Sequence, residues 1–306
     1  MRFKGRDIIS INDFSKEELL FILRCAEKYD NGIRSNLLAG KVMAALFFEP
    51  STRTRLSFIS AMEQIGGSVI GFDTSEVTSI QKGESIWDTI KMVERYADVI
   101  VIRNPLEGSA RLAAESASIP VINAGDGSNQ HPTQTFVDLY TILKTKGMID
   151  NLSIGMVGDL KYGRTVHSLT IALAHFAPRF YFISPDALRM PRDYIEYLKE
   201  RGISYIEDTD LNKHSKSLDV IYATRIQKER FPEPVEYEKY KDIYTLDESL
   251  LKNIKKDLKI MHPLPRVGEI SPSLDNTPHA VYFQQAGYGI PIRKALLSLV
   301  LGVEKS

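Results

Sequence analysis

Apolar residues occur along this chain in two patterns, short continuous runs and longer stretches with helical spacing. The run at 41–48 (KVMAALFF) is almost entirely apolar, which is typical of a strand covered on both faces. Directly after it, residues 51–64 carry apolar side chains at helical spacing and end at Gly66 and Gly67, which favour a helix stop. This order recurs along the chain and predicts βα units around parallel sheets.

The recurring pattern falls into two series. In the first, the predicted strands are 41–48, 68–72, 98–102 and 120–123, and the predicted helices are 51–64, 86–96 and 109–116. A long helix at 133–146 leads into the second series, with predicted strands at 153–157, 179–183, 204–206, 219–223 and 258–262. A last helix is predicted at about 290–302.

These series predict two doubly wound parallel-sheet α/β domains of similar size. We assign residues 1–132 to the first domain and 133–287 to the second. The C-terminal helix, about 288–306, is expected to return to the first domain. The chain has 306 residues, and at roughly 150 residues per domain this length also predicts two domains.

Charge and composition exclude several classes of protein. The chain has 39 Lys and Arg against 39 Asp and Glu, so its formal net charge is zero, which argues against nucleic-acid binding. Hydrophobic residues make up 43% and charged residues 25%, which excludes a disordered or fibrous chain. Any site for an anion must therefore be a local concentration of positive charge.

The single cysteine indicates a reducing compartment. Cys25 lies in an apolar helical pattern and is interpreted as a buried residue, and the sequence has no Cys/His cluster with zinc spacing. Residues 1–7 are too charged for a signal-peptide core, and the longest apolar stretches, such as 296–303, are shorter than the roughly 18 residues that span a bilayer. We expect a cytoplasmic protein without a membrane partner.

The segment 48–55 (FEPSTRTR) stands where the first strand ends and a helix begins. Free N–H groups and the positive end of the helix dipole favour anions there, most often phosphate. Ser51, Thr52 and Thr54 add hydroxyl donors, and Arg53 adds a guanidinium that suits phosphate oxygens. The alternative is an ordinary serine N-cap followed by solvated arginines. Neither the nucleotide P-loop pattern nor the dinucleotide GxGxxG pattern occurs.

A second motif, 128–135 (SNQHPTQT), follows a strand carboxyl end, where open α/β sheets bind their ligands. His131 can donate a hydrogen bond to a developing oxyanion. Gln134, about one turn further along the helix, offers a donor and an acceptor for an amide-like group. The alternative is that His131 only caps or packs the helix.

Two arginines follow strands of the second series. Arg164 lies in 158–168 (GDLKYGRTVHS) and Arg225 in 224–230 (TRIQKER). Each can hold one carboxylate in bidentate fashion, so the pair suits a dicarboxylate. The alternatives are a structural βα turn with an exposed Arg164, and a solvated charged helix start after Arg225.

The segment 261–266 (MHPLPR) contains two prolines and follows the last predicted strand. Such a stiff loop can present backbone carbonyls to a ligand amine. The alternative is a rigid connection without a ligand.

Together these motifs resemble those of the transcarbamoylases, and among them those of the aspartate-specific carbamoyltransferase catalytic chains. The resemblance covers nearly the whole chain, with five motifs in family order. They are STRTR at 51–55, AGDGSNQHPTQT at 124–135, GDLKYGRTVHS at 158–168, TRIQKER at 224–230 and HPLPR at 262–266.

The resemblance implies transfer of a carbamoyl group from carbamoyl phosphate to L-aspartate, the committed step of de novo pyrimidine (UMP) biosynthesis. It implies no metal and no organic cofactor. The residues that it implies for carbamoyl phosphate are Ser51, Thr52, Arg53, Thr54, Arg103, His131, Gln134, Pro263, Leu264, Ser79 and Lys82. Those that it implies for aspartate are Lys82, Arg164, Arg225 and Gln227.

The resemblance also implies individual roles. The catalytic residues would be Arg53, Thr54, Arg103 and His131, with the last three polarising the carbonyl. Gln134 and the carbonyls of Pro263 and Leu264 would bind the carbamoyl amide. Arg164 would bind the α-carboxylate of aspartate, and Arg225 and Gln227 the β-carboxylate.

In this family a serine and a lysine on a mobile loop enter the site of a neighbouring subunit, which implies a homotrimer with shared active sites. The matching residues are Ser79 and Lys82, on a segment one residue shorter than the bacterial pattern. Two further departures are Asn104, where the family commonly has histidine, and Gly268, where it commonly has aspartate. A separate zinc-bearing regulatory chain is a further possible partner.

Two competing functions stay open at this point. An ornithine carbamoyltransferase would share the 51–55 motif, but Arg225 beside Gln227 disfavours a cationic substrate, and the HPLP loop replaces the cysteine-containing loop of that relative. The second alternative is a non-catalytic homologue that binds metabolites. The motifs contain no carboxylate that is well placed to act as a general base on the aspartate amine. The hypothesis is therefore that the departing phosphate accepts the amine proton.

Overall fold

Two separate parallel sheets organise the chain. The computed structural model describes residues 3–74, 76, 79–226, 234–240 and 243–304. Its contacts divide the chain into two units, Met1–Val137 with Gly287–Ser306, and Asp138–Ala286. Within the described residues, none of the helices combines the length and the apolar character that crossing a membrane requires.

The first unit holds a four-stranded sheet. Its strands are β1 (Val42–Phe47), β2 (Ser68–Phe72), β3 (Val99–Asn104) and β4 (Val121–Asp126). They are all parallel and lie in the order β2-β1-β3-β4. The helices of this unit are α1 (Lys16–Glu27), α2 (Thr52–Gln64), α3 (Ile86–Val93), α4 (Ser109–Ser116) and, from the C-terminal end, α10 (Gly289–Val300).

The second unit holds a five-stranded sheet. Helix α5 (Pro132–Lys146) begins in the first unit and continues into the second. The strands are β5 (Ser153–Val157), β6 (Arg179–Ile183), β7 (Ser204–Asp208), β8 (Val220–Ala223) and β9 (Lys259–Met261), and the helices α6 (Arg164–Leu173), α7 (Arg192–Glu200), α8 (Pro234–Tyr240) and α9 (Tyr282–Gly287). The strands are parallel in the order β7-β6-β5-β8-β9, which is a doubly wound arrangement.

The predicted fold class is confirmed, and the apolar runs explain it. In β1, β3, β5 and β8 most residues are buried, as expected of parallel strands covered on both faces. Cys25 is buried on α1, as predicted. The final helix packs against α1 and α2 of the first unit, where the Tyr29 hydroxyl donates to the Ser298 hydroxyl at 3.0 Å.

Several elements end at other residues than the pattern predicts. Strand β3 continues through Arg103 to Asn104, and β4 continues to Asp126. The apolar pattern stops before these polar residues, whereas the ladder continues and pairs Asn104 with Asp126. Helix α3 ends at Val93, earlier than predicted. After it the Tyr96 N–H donates to the Val93 carbonyl oxygen, three residues back, as in a 3-10 turn.

Candidate active site

The turn between β1 and α2 has a serine at the N-cap position whose side chain makes no hydrogen bond to the helix. Ser51 has the extended conformation of an N-cap residue, with φ −156° and ψ 93°, but its side chain makes no capping hydrogen bond. By contrast, the Ser15 and Ser85 hydroxyls accept the N–H groups of Glu18 and Asp88 at the starts of α1 and α3. The ordinary N-cap interpretation therefore does not describe the Ser51 hydroxyl.

The charges around this turn are those expected of an anion site. The first turn of α2 contains no acidic residue, whereas α1 begins with Glu17 and Glu18. Arg53 is exposed and Thr54 is buried, with 8% of its surface accessible. The positive end of the helix dipole is thus joined by a cation and is not neutralised by a carboxylate of the helix itself.

Arg103 lies beside this turn because β3 pairs with β1. Phe47 is in register with Arg103, and the Phe48 N–H donates to the Arg103 carbonyl oxygen at 2.8 Å. The guanidinium is held by two groups. One nitrogen lies 2.7 Å from the Glu49 carboxylate, and the other donates to the Ala124 carbonyl oxygen at 3.3 Å. The Arg103 side chain is thus fixed between the turn and the end of β4.

His131 is buried at the start of α5, with 4% of its surface accessible. Its Nδ1 lies 3.3 Å from the Thr133 hydroxyl, and its carbonyl oxygen accepts the Gln134 N–H at 3.0 Å. Gln134 is half-buried. The 51–54 turn and the His131 segment follow β1 and β4, and Arg103 lies near the carboxyl end of β3 between them. Because these strands are neighbours in the sheet, the structure brings these predicted residues to one edge.

Asp126 organises the loop that leads to His131, a role that was not predicted from the sequence. The buried carboxylate accepts the Gly108 N–H at 3.0 Å, the Gln130 N–H at 3.1 Å and the side-chain amide of Asn123 at 2.9 Å. The signal for it was the sequence DGSN, because aspartate and asparagine in such turns bond to nearby backbone.

Of the two residues predicted to act on a neighbouring subunit, the structure describes Lys82 more fully than Ser79. They begin and end a short 3-10 helix, Ser79–Lys82. The Lys82 side chain is exposed, while the Ser79 side chain is outside the described part of the chain. This short helix comes after β2, the edge strand that runs parallel to β1 in the four-stranded sheet.

In the second unit, Arg164 and Arg225 follow neighbouring strands. Arg164 is the first residue of α6, behind the turn that follows β5, and Arg225 lies two residues after the end of β8. Strands β5 and β8 pair directly, and both arginine residues are half-buried. Gln227, predicted to act with Arg225, lies outside the described residues. Two guanidinium groups thus follow adjacent strand ends, as a dicarboxylate site requires.

The loop His262–Arg266 follows β9, which pairs with β8, so Pro263 and Leu264 lie at the same edge of the second sheet. The Leu264–Pro265 peptide bond is cis, and Leu264 has φ 55°. Arg266 forms an ion pair with Asp275, in which the second nitrogen lies 2.6 Å from the carboxylate. The loop is therefore fixed at its far end by charge.

A buried histidine and glutamate fix the same loop from inside. His262 Nε2 lies 2.7 Å from Glu269 Oε1, and both residues are buried. Burial alone raises the pKa of the Glu269 carboxyl, but the close contact with His262 and hydrogen bonds from backbone N–H groups outweigh it and lower the pKa to about 2. No local pattern links residues seven positions apart in a loop, so the sequence alone does not indicate this pair.

Comparison with known families shows two matching family models. Residues 6–144 match the carbamoyl-P binding domain of aspartate/ornithine carbamoyltransferase. Residues 150–300 match the Asp/Orn binding domain of the same family.

Individual relatives are similar over their full lengths. A Thermococcus onnurineus protein named aspartate carbamoyltransferase catalytic subunit is 59% identical, over 99% of each chain. A Bacteroides fragilis protein of the same name is 52% identical, over 98% of each chain.

Solved structures share the fold. The catalytic subunit of M. jannaschii aspartate transcarbamoylase is 51% identical, with a TM-score of 0.89 over 96% of this chain and 97% of its own. Trypanosoma cruzi aspartate transcarbamoylase, solved with N-(phosphonacetyl)-L-aspartic acid, is 38% identical, with a TM-score of 0.92 over 98% of this chain and 97% of its own.

Proposed function

Because the chain belongs to the aspartate/ornithine carbamoyltransferase family, we propose that it transfers the carbamoyl group of carbamoyl phosphate to the amine of L-aspartate. The products are N-carbamoyl-L-aspartate and phosphate, and the reaction is the committed step of de novo pyrimidine biosynthesis. The observation that carries the proposal is the 59% identity, over 99% of both chains, with an aspartate carbamoyltransferase catalytic subunit.

The phosphate group is proposed to bind at the β1–α2 turn. Its ligands are the hydroxyls of Ser51, Thr52 and Thr54, the Arg53 guanidinium and the free N–H groups of α2. Two observations support this role. The Ser51 hydroxyl makes no capping hydrogen bond, and the first turn of α2 contains no acidic residue.

The carbonyl group is proposed to be polarised by Arg103, His131 and Thr54. As the amine attacks, the carbonyl oxygen becomes an oxyanion, and donors already in place stabilise it without reorganisation. Burial of His131 and the two contacts of the Arg103 guanidinium support such preorganisation. Gln134 is proposed to bind the carbamoyl amide, and the Pro263 and Leu264 carbonyls are proposed acceptors for ligand N–H groups.

Aspartate is proposed to bind through its carboxylates. Arg164 takes the α-carboxylate, and Arg225 with Gln227 takes the β-carboxylate. Two fixed positive charges repel the side-chain ammonium of ornithine, so the arginine pair favours aspartate as the acceptor. The adjacency of β5 and β8 supports a joint role for Arg164 and Arg225.

Much of the rate acceleration is proposed to come from orientation of the two reactants, because no covalent intermediate is needed. The aspartate amine must lose its proton before or during attack. The departing phosphate is the proposed acceptor, because the Glu49 carboxylate beside the β1–α2 turn is already paired with the Arg103 guanidinium.

The assembly is proposed to be a homotrimer in the cytoplasm. Ser79 and Lys82 would enter the site of a neighbouring subunit, with Lys82 binding both substrates. The exposed Lys82 side chain supports this arrangement, because it is accessible to a second copy. A separate zinc-bearing regulatory chain would extend the trimer to a larger hetero-oligomer, and the molar mass of the native protein with and without candidate chains tests both.

A direct assay tests the reaction and its acceptor. The purified chain is given carbamoyl phosphate with L-aspartate or with L-ornithine, and the carbamoylated product is measured. Carbamoyl aspartate alone is the expected product. Carbamoyl ornithine would show the other acceptor of the family, and no product with either amine would contradict the enzyme function.

A further inference from the structure

A chain of buried hydrogen bonds leads to the backbone of His262. The His262 N–H donates to Gln285 Oε1 at 2.9 Å, and Gln285 Nε2 donates to Asp138 Oδ1 at 2.7 Å. The other oxygen of Asp138 accepts the Tyr222 hydroxyl at 2.8 Å. At most 1% of the surface of each of these four residues is accessible. The backbone of His262 is thus anchored to the interior of the second unit by bonds that do not involve the loop after it.

The His262 ring has one acceptor and one donor nitrogen. The Leu264 N–H donates to Nδ1 at 2.8 Å, so Nδ1 carries no proton. The proton of the neutral imidazole therefore lies on Nε2, which is 2.7 Å from Glu269 Oε1. This contact lies within ion-pair distance but does not have hydrogen-bond geometry, so the carboxylate favours a proton on Nε2 through its charge.

Glu269 continues the arrangement to the other end of the loop. Its second oxygen, Oε2, accepts the N–H groups of Val267 and Gly268, at 3.0 Å each. The histidine and glutamate side chains therefore hold backbone N–H groups on both sides of Pro265 and Arg266. A loop tied in this way keeps one backbone path.

The backbone at Leu264 needs such support. Its φ of 55° lies in the left-handed region, which is sterically unfavourable for a residue with a side chain. The hydrogen bond from the Leu264 N–H to His262 Nδ1 forms in this conformation and compensates for it. Without an acceptor at Nδ1, the residue would relax and its carbonyl would change direction.

We propose that His262 is a positioning residue for carbamoyl transfer, whose unprotonated Nδ1 holds Leu264 so that the Pro263 and Leu264 carbonyls are fixed for the substrate N–H group. This inference rests on the proposed function, because that function assigns the two carbonyls to the carbamoyl amide. Beyond that function, the inference requires a hydrogen-bond acceptor at the Nδ1 position of residue 262. It also gives Glu269 the role of keeping the ring proton on Nε2.

Two matched substitutions separate the two ring nitrogens. In His262→Asn the amide oxygen replaces the Nδ1 acceptor, and in His262→Gln the amide reaches the Nε2 position and Nδ1 is lost. For the full chain, kcat/KM for carbamoyl phosphate is expected to fall about tenfold or more in His262→Gln and to stay within about threefold of wild type in His262→Asn.

The phosphate inhibition constant distinguishes positioning from general disruption. Inorganic phosphate has no amide, so it should inhibit both variants with a constant within about twofold of wild type. Equal losses in the two variants, or wild-type constants in His262→Gln, would overturn the inference. An inactive wild-type chain would instead overturn the proposed function itself, and the inference with it.

A measurement on the unaltered protein gives a second test that does not depend on variant folding. In protein labelled with 15N-histidine, the Nδ1 resonance of His262 is expected at the chemical shift of an unprotonated ring nitrogen at neutral pH. The resonance is assigned by its absence from His262→Asn or, if that variant does not fold, from Leu264 amide correlations. A protonated Nδ1 would overturn the inference.

Discussion

Gly158 and Thr224 approach so closely that no side chain fits between them. Gly158 follows β5 with φ +115°, and a Cβ built on it would lie 2.3 Å from the Thr224 carbonyl oxygen. Thr224 follows the neighbouring strand β8, and its hydroxyl donates to the Val157 carbonyl oxygen at 3.3 Å. The glycine therefore sets the spacing between the segments that carry Arg164 and Arg225.

Gly158→Ala is expected to raise KM for aspartate by about tenfold or more. The added methyl group must displace one strand end from the other, and small misplacements of binding groups have large effects on rate and binding. Inhibition by phosphate should stay unchanged, because its proposed ligands lie in the first unit. Initial rates against aspartate concentration, at saturating carbamoyl phosphate, measure the effect.

Gly202→Ala is the matched control for backbone strain. Gly202 belongs to the same unit and also has a positive φ, +65°, but a Cβ there has nothing within 4 Å. This variant should lose about 1 kcal/mol of stability and keep its KM for aspartate. A similar rise in KM for both variants would mean that strain, and not the contact with Thr224, matters.

Ser15→Ala is expected to affect stability alone, and Ser51→Ala to affect substrate binding alone. The Ser15 hydroxyl caps α1, so Ser15→Ala should lower the free energy of unfolding by about 1 kcal/mol and leave the kinetics unchanged. The Ser51 hydroxyl caps nothing, so Ser51→Ala should keep its stability but raise KM for carbamoyl phosphate by about tenfold or more. Urea unfolding and steady-state kinetics on both variants test this, and a large loss of stability in Ser51→Ala would contradict it.

Arg53→Ala should lower kcat by about a hundredfold or more, because it removes a cation proposed to stabilise the departing phosphate. The side chain is exposed, so the fold should persist. Arg24→Ala is the control, since Arg24 is an exposed arginine on α1 whose guanidinium lies over the Phe21 ring, remote in sequence from the turn. A kcat near that of wild type in Arg53→Ala would refute the assigned role.

The sequence predicted the architecture well because most strands of both sheets are apolar on both faces. The fold class and the family are confirmed, the family by two matching models and by full-length relatives. The pattern underestimated β3 and β4 at their carboxyl ends. There the ladder continues through Arg103, Asn104 and Asp126, polar residues that an apolar pattern does not include.

The candidate site was predicted only where its residues are contiguous. Motifs identify Ser51 or His131, and their assigned roles stay predictions. Gln285 and Asp138, by contrast, are joined by a hydrogen bond although they are 147 positions apart in the chain. Contacts over such separations depend on the folded packing of several elements, and no local pattern in one sequence indicates them.

Glu269 gives the fold a specific sensitivity to acid. Its pKa is about 2 in the folded chain against an ordinary value of 4.5, so its contribution to stability is complete above about pH 4.5 and is lost as the pH falls towards 2. In Glu269→Gln, which cannot ionise, the free energy of unfolding should fall less steeply between pH 5 and pH 3 than in wild type. Urea unfolding at a series of pH values measures both slopes, and parallel slopes would contradict the assignment of this sensitivity to Glu269.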